Sequence, residues 1–566
     1  MERWKRWAPL LVLAAAVVAY IAIATQLSLL QCEELHCRNW DLGIFQQSLW
    51  STTHGKILWE AGDYEYFGVD SFFQIHPSFI MFPLAVLYAW APVPATLLVF
   101  QAIVTGLAAV PLYFLTLKVT SSPKMALMAG VLFLAWTPIL SSNLYDFHLE
   151  SMLPLEFFTF FYLWVSRRYW LALAVGLVAI ATLEVTPVLL VFVLMFLYWD
   201  ELIRFGRGFW KHGWAGLRAS AQSLRPDECR SVRWGLVMVG VSVAGYVFLR
   251  LLQGPFINVV LGYAPTEVTT TGFTPGSFGL SVAELGFHPT DRIVFWLLAY
   301  ALIGFLPLYR PSTVIMAVPW MAYTAFTPYG NMVHLGWQYG YIIAIPLFLG
   351  LPYGFAPLMG WLGRLETVPS SGPPRPRPRL RLRRDVVLIV VFGWLLAANL
   401  VISPVDPAMQ GGYGPFSPAP AYLVSYTPYP GYSEVQALAD RIPPQAPVMA
   451  SDHLFPLVAN DVNAYAILWP SVNHSYPLPF DASHLPAYVF VTGAQFRAAP
   501  GFVLNGIWTP GTFVLVGYVS EAPYAGACLF GLDGGSLTGP TYGDAGNATG
   551  VGLGTSIPMC AEGYVS

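Results

Sequence analysis

Long apolar runs broken by short polar turns fill the first four hundred residues. They lie near 8–30, 95–117, 125–142, 151–166, 169–183, 186–199, 234–252, 291–309, 312–327, 339–355 and 386–403. A helix needs roughly 20 apolar residues to cross a bilayer, so the pattern predicts a polytopic α-helical membrane protein of about eleven spans. The apolar stretch Pro77 to Trp90 is too short to join them and contains Pro83; it predicts an interfacial or re-entrant helix inside a long loop, 31–94. After Pro404 the pattern changes. A Pro/Gly/Tyr linker covers 404–430, and then "SEVQALADRI" reads as a helix while "APVMAS", "AYAIL", "AYVFVTG" and "TFVLVGYV" read as strands. Residues 431–530 therefore predict a small α/β domain, followed by a Gly/Thr/Ser-rich tail over 531–566. That domain has neither G-x-G-x-x-G nor a P-loop, so no nucleotide is assigned to it.

Composition agrees with a membrane class. The chain has 566 residues, 56% hydrophobic and only 10% charged, with a mean hydropathy of +0.57, whereas soluble domains carry about 25% charged residues. Charge placement orients it. Of 28 Lys and Arg, 22 fall in the segments 3–6, 118–124, 167–168, 204–233, 310 and 364–384, which the positive-inside rule makes cytoplasmic. The expectation is a multi-pass protein of the cell membrane with a cytoplasmic N-terminus and an extracytoplasmic α/β domain. The basic run Arg375 to Arg384 abuts a span and is read as a lipid-headgroup contact, not a nucleic-acid site. No small-residue cleavage site follows the first apolar run, which is read as an uncleaved helix. Cys32 with Cys37 and Cys528 with Cys560 are candidate disulfides on the outer side, and Asn473 and Asn547 head sequons there.

Four polar sets converge on the outer helix ends. "NWDLGIFQQSLW" carries Asp41; "DSFFQIHP" carries Asp70 and His76; "NLYDFHLES" carries Asp146, His148 and Glu150; "LEVTP" carries Glu184. "NMVHLGWQYGYIIAIP" adds His334, Tyr339 and Tyr341. Taken singly, Asp41 reads as a helix cap, Glu184 as a cap of the next helix and His76 as a satisfied histidine under a loop. Ionisable groups at span ends point to function more strongly. An extended turn would bring Asp146, His148 and Glu150 to one side; a helical turn would pair Asp146 with Glu150 and turn His148 away. A carboxylate, imidazole, carboxylate set suits a divalent cation (Mg or Mn) or proton transfer. Glu156 lies inside a span and needs a partner the sequence does not name.

"NWDLGIFQQSLWSTTHGK", "FFQIHPSFIMFPLAVLY", "YDFHLESMLPLEFF" and the "LEVTPVLL" turn together resemble the domain-of-unknown-function 2079 membrane proteins. Sequences of that family often carry Lys-Glu-Asp where this chain has Leu183-Glu184-Val185. In layout the family resembles the type C (GT-C) glycosyltransferases, which use lipid-phosphate sugars. The resemblance implies Asp41 as general base, Asp146, His148 and Glu150 as metal or donor ligands, and Arg38, His76, Glu184, His334, Tyr339 and Tyr341 as substrate or donor contacts. It implies a polyprenyl-phosphate sugar donor, with Arg38, Lys56, Arg250 and Arg292 as outer-side cations for the phosphate. Two other classes stand beside this one: a transporter of a lipid-linked substrate, and a non-catalytic scaffold whose C-terminal domain binds a protein partner.

Overall fold

The computed structural model describes residues 2–67, 69, 71–252, 289–327, 330–366, 384–405, 431–467, 485–493, 513–519 and 527–532. Asp70, most of the linker, Arg375 to Arg383, both sequons, Cys560 and the tail beyond 532 lie outside the described residues.

Each apolar range carries helix. Trp7–Glu33, Pro94–Thr120, Pro226–Leu252 and Gly340–Gly360 are long and apolar enough to cross a membrane. Pro123–Ala135 and Thr137–Leu144 form a fifth such unit bent by 41°. Pro138 explains the bend, because it has no N–H to give the carbonyl one turn back. Leu153–Val165, Tyr169–Thr182 and Thr186–Leu197 are shorter apolar helices.

The predicted spans 291–309 and 312–327 are not continuous. Helix Pro289–Ala301 ends in a turn with Gly304 and Phe305 in the left-handed region, followed by the 3-10 segments Leu306–Tyr309 and Pro311–Met316 and a short helix, Val318–Phe326. Pro307, Pro311 and Pro319 each remove a backbone donor, so hydropathy continues where the α-helical ladder cannot. Aromatic packing joins the surrounding helices: Phe133 stands edge-on to Phe158 (5.4 Å) and Phe348 (5.3 Å), and Trp136 contacts Phe348 (5.3 Å), all fully buried.

The first loop is itself structured. A π-helical turn, Asn39–Gly43, leads into helices Ile44–Thr53, Ala61–Phe67, Phe72–Ile75 and Met81–Trp90. Ser71 and Gln74 form a reciprocal cap on the Phe72–Ile75 helix, satisfying donors that a helix start leaves open. Met81–Trp90 is the segment predicted as a membrane-lying helix; Val86, Leu87 and Trp90 are exposed on it. A disulfide joins Cys32 to Cys37 just before the π turn. Cys528 is disulfide-bonded as well.

Residues 431–532 contain helix Tyr432–Ala439 and strands β1 (Val448–Ser451), β2 (Ala464–Ile467), β3 (Tyr488–Thr492), β4 (Phe513–Val519) and β5 (Ala527–Leu532). The sheet order is β2-β1-β3-β5-β4, with β1 parallel to β2 and β3, and β5 antiparallel to β3 and β4. The first four strands match the alternating segments; β5, "ACLFGL", runs just past the predicted boundary at 530. Leu35, Trp59 and Ala61 of the first loop share one buried cluster with Val435, Phe455, Ala464 and Phe490. The loop and the α/β unit therefore have a common core, which sequence separation hides.

Candidate functional site

A cavity of about 260 Å³ opens where the helix ends meet the first loop. Asp41, Asp63, His76, His148, Glu150, Glu184 and Tyr339 line it, walled by Trp40, Phe45, Phe72 and Trp320.

Asp41 is almost fully buried. One carboxylate oxygen accepts the Tyr145 hydroxyl (2.8 Å) and the other meets His148 Nε2 (3.1 Å). These bonds run to side chains from another turn, so Asp41 is not acting as a helix cap. The imidazole of His148 stacks on Tyr145 (centroids 5.3 Å apart) and takes the edge of Phe45 (5.8 Å). Burial disfavours its charged form, but the Asp41 carboxylate outweighs that and lifts His148 above its ordinary value.

His76 and Glu184 form a second pair, His76 Nδ1 to Glu184 Oε1 at 2.9 Å, with Glu184 the more deeply buried. Burial again opposes charge on His76; Glu184, then Glu150 and Asp63, raise it to about 9. Burial pushes the Glu184 carboxyl up, and His76 more than offsets this, leaving it below the usual carboxylate range. The pH signs follow from linkage. The His76 contribution to stability is complete below its ordinary value of 6.5 and is lost as pH rises through about 9. The Glu184 contribution is present above ordinary carboxylate values and is lost as pH falls through its lowered one. In Glu184→Gln, thermal stability in detergent should therefore decline less than in the parent between pH 7 and 10. Equal slopes in a melting series across that range would contradict the pairing.

The Tyr145–Glu150 turn is neither extended nor helical throughout. Asp146 is left-handed (φ 76°), His148 is extended, and Glu150 enters a 3-10 turn. Consequently Asp146 points away from the cavity and accepts the Arg38 backbone N–H (3.2 Å), while His148 and Glu150 line it. Burial and the nearby Asp41 charge hold the Asp146 carboxyl well above its usual range.

This divides the expected metal set. Among the described residues, Cys32, Cys37 and Asp146 are the one group of three whose ligand atoms lie within 4.8 Å of one another, and those two sulfurs are spent in a disulfide. Asp146, His148 and Glu150 do not form such a group: His148 and Glu150 line the cavity, while Asp146 bonds the first loop.

Other expected contacts are also redistributed. Arg38 stands with Asp146 and Asp452 rather than in the cavity wall; its charge acts on both. His334 is buried and accepts Gly336 N–H at Nδ1 (2.9 Å), ordering the loop before Tyr339. Tyr341 is fully buried in the Gly340–Glu366 helix. Lys56 lies over Trp59 (4.5 Å), and Arg292 donates to the carbonyls of Thr324 and Thr327. Arg250 sits by Tyr246 and lowers Glu184 through its charge. None of these cations lines the cavity, where His76 and His148 are the basic side chains. Glu156 finds its partner in Thr182, whose hydroxyl donates to it (2.7 Å).

Several contributors were not foreseen. Gln101, the lone amide in the run "LLVFQAIV", donates to the carbonyls of Asn143 (3.0 Å) and Asp146 (2.7 Å) and accepts His148 N–H (2.8 Å). It fixes the turn that aims His148; a polar residue inside an apolar helix was the available signal. Asp63 lines the cavity, and its backbone N–H bonds both Glu60 carboxylate oxygens (2.8 and 3.0 Å). Burial, joined by the repulsion between the two acids, raises Glu60 well above its usual range. Asp452 reaches the Asp41 turn from the α/β unit.

Comparisons with known proteins place the chain by family. No curated protein matches it. Among solved structures it is similar to ArnT from Cupriavidus metallidurans bound to undecaprenyl phosphate, at 15% identity and a TM-score of 0.48, covering 93% of this chain and 99% of that one. The apo form of the same protein is similar at 15% identity and a TM-score of 0.44, with the same coverage. A family model described as a predicted membrane protein, DUF2079, matches residues 31–497. The chain belongs to the DUF2079 family of predicted membrane proteins.

Proposed function

We propose that this protein transfers a sugar from a polyprenyl phosphate to an acceptor at the extracytoplasmic face of the cell membrane. The observation that carries the reading is the cavity at the helix ends, into which Asp41 is set by Tyr145 and His148 beside the His76–Glu184 pair. A carboxylate buried and oriented in this way suits a general base. Asp41 takes the acceptor hydroxyl proton as the acceptor oxygen attacks the anomeric carbon. The bond from that carbon to the lipid phosphate breaks, and the electron pair leaves with the phosphate. His148 orients Asp41 and Tyr145 supports it. The His76 imidazolium supplies positive charge for the phosphate, a role for which Arg38, Lys56, Arg250 and Arg292 were the outer-side candidates.

A transporter would place its ionisable groups near the mid-plane of the helices. Here they gather at helix ends, and the intrahelical Glu156 is bonded to Thr182. The test is incorporation of labelled sugar from a polyprenyl-phosphate donor by membranes that contain the chain, against membranes that lack it. Product dependent on the chain is expected. Movement of intact donor across the bilayer with no transferred sugar would replace the reading with transport.

A further inference from the structure

The carboxylate of Asp41 is carried on a five-residue π-helical turn whose conformation local sequence does little to enforce, since such turns are rare and short. Its stability comes from both sides. On the membrane side Arg38 N–H bonds Asp146, and the Cys32–Cys37 disulfide closes the chain just ahead. On the other side, 413 residues away in sequence, Asp452 follows β1 and receives Asn39 N–H at both its carbonyl (2.9 Å) and its carboxylate (3.0 Å). The Trp40 backbone also bonds that carboxylate, so the acceptor spans the two residues preceding Asp41. Asp452 is 1% exposed.

Neighbouring contacts reinforce the same junction. The Phe455 ring packs so closely on Gly43 that a Cβ there would lie 2.8 Å from it. Gln47 donates to the carbonyls of Asp461 (2.7 Å) and Ala464 (2.9 Å), and Tyr88 donates to Asn460 (2.9 Å). Burying a carboxyl group is costly unless it is hydrogen-bonded, and here its partners are the backbone donors of the turn that bears Asp41.

We infer that Asp452 is a positioning residue for Asp41, and that the C-terminal α/β unit clamps the turn bearing the reactive carboxylate. The clamp stands on geometry; its catalytic consequence rests on the reading of Asp41 as base. The unit is then part of the reaction site, and the face it turns to the first loop is already occupied by this chain.

Two measurements on the full-length protein in detergent test this. In Asp452→Ala, hydrogen exchange at the Trp40 amide should accelerate by ~10-fold or more, because it loses its carboxylate acceptor, and at Asn39 by less, because that amide keeps the backbone carbonyl of residue 452, while β1 and β3 stay protected. Asp452→Asn, which keeps one carbonyl acceptor, should show a smaller change of the same kind and carries the test if the alanine variant does not fold. Unchanged exchange at 39 and 40, or a rise spread equally over β1 and β3, would overturn the clamp. In the sugar-transfer assay, Asp452→Ala should lower kcat by ~10–100-fold with KM little changed, the effect expected of a base displaced by about 1 Å, and Asp452→Glu should restore part of it. If Asp41→Asn abolishes transfer but Asp452→Ala keeps the parent kcat, the positioning role is wrong. If Asp41→Asn transfers normally, the base assignment is wrong, and the exchange data still decide whether the clamp exists.

Discussion

Replacing Asp41 by Asn is expected to lower sugar transfer by ~10²–10⁴-fold, the usual contribution of a positioned base, while leaving the protein folded and monodisperse. The side chain keeps its shape, and its amide oxygen can still accept the Tyr145 hydroxyl that lies 2.8 Å away in the parent. What it loses is the ability to receive a proton and the charge that raises His148. Two observables should therefore move together: kcat with labelled polyprenyl-phosphate sugar, and the pH dependence of the remaining rate as His148 returns towards its ordinary value. Parent-like transfer by Asp41→Asn would end the base assignment. A matching loss in Tyr145→Phe would be too large for a group that only supports the carboxylate.

The largest effect on stability is expected from Gly354→Ala. The Gly340–Glu366 helix crosses the 3-10 segment at Leu306 with its backbone nearly touching. A Cβ on Gly354 would overlap the Leu306 carbonyl oxygen and lie 2.6 Å from its carbon. Those atoms are backbone, held between Pro307 and the left-handed Phe305, so they cannot rotate aside as a side chain would. Overpacking of this kind costs about 1–3 kcal/mol. Gly393 provides the opposite case. It lies in helix Arg384–Val401 with nothing within 4 Å of its would-be Cβ, so Gly393→Ala should be neutral or stabilise by up to about 1 kcal/mol through helix propensity. Melting of the two purified variants in one detergent gives the comparison. Equal midpoints would show that the close helix crossing is not maintained in the protein.

The helical ranges were legible because a run of apolar residues long enough for a span is a local property of the chain. The strands of the α/β unit were legible for the same reason, and so was the proximity of Cys32 to Cys37. The breaks at Gly304, Phe305 and the following prolines were not, because hydropathy is blind to missing backbone donors. Of the polar residues, the sequence marked Asp41, His76, His148, Glu150 and Glu184 through their position at helix ends, and these line one cavity.

The charged turn shows where that reasoning stops. Alternate spacing of Asp146, His148 and Glu150 suggested a shared direction, but spacing sets direction only in a regular element. One left-handed residue at Asp146, held by Gln101 and Arg38, sends its carboxylate to the backbone of the first loop and the other two into the cavity. The sequence by itself determined the helical scaffold, the small strands and the set of ionisable residues at the helix ends. Only the tertiary structure decided which of them meet, that Arg38 serves Asp146 and Asp452 rather than the cavity, and that Asp452 reaches Asp41 from the far end of the chain. These outcomes depend on backbone angles at irregular turns and on partners hundreds of residues apart, which no local pattern encodes.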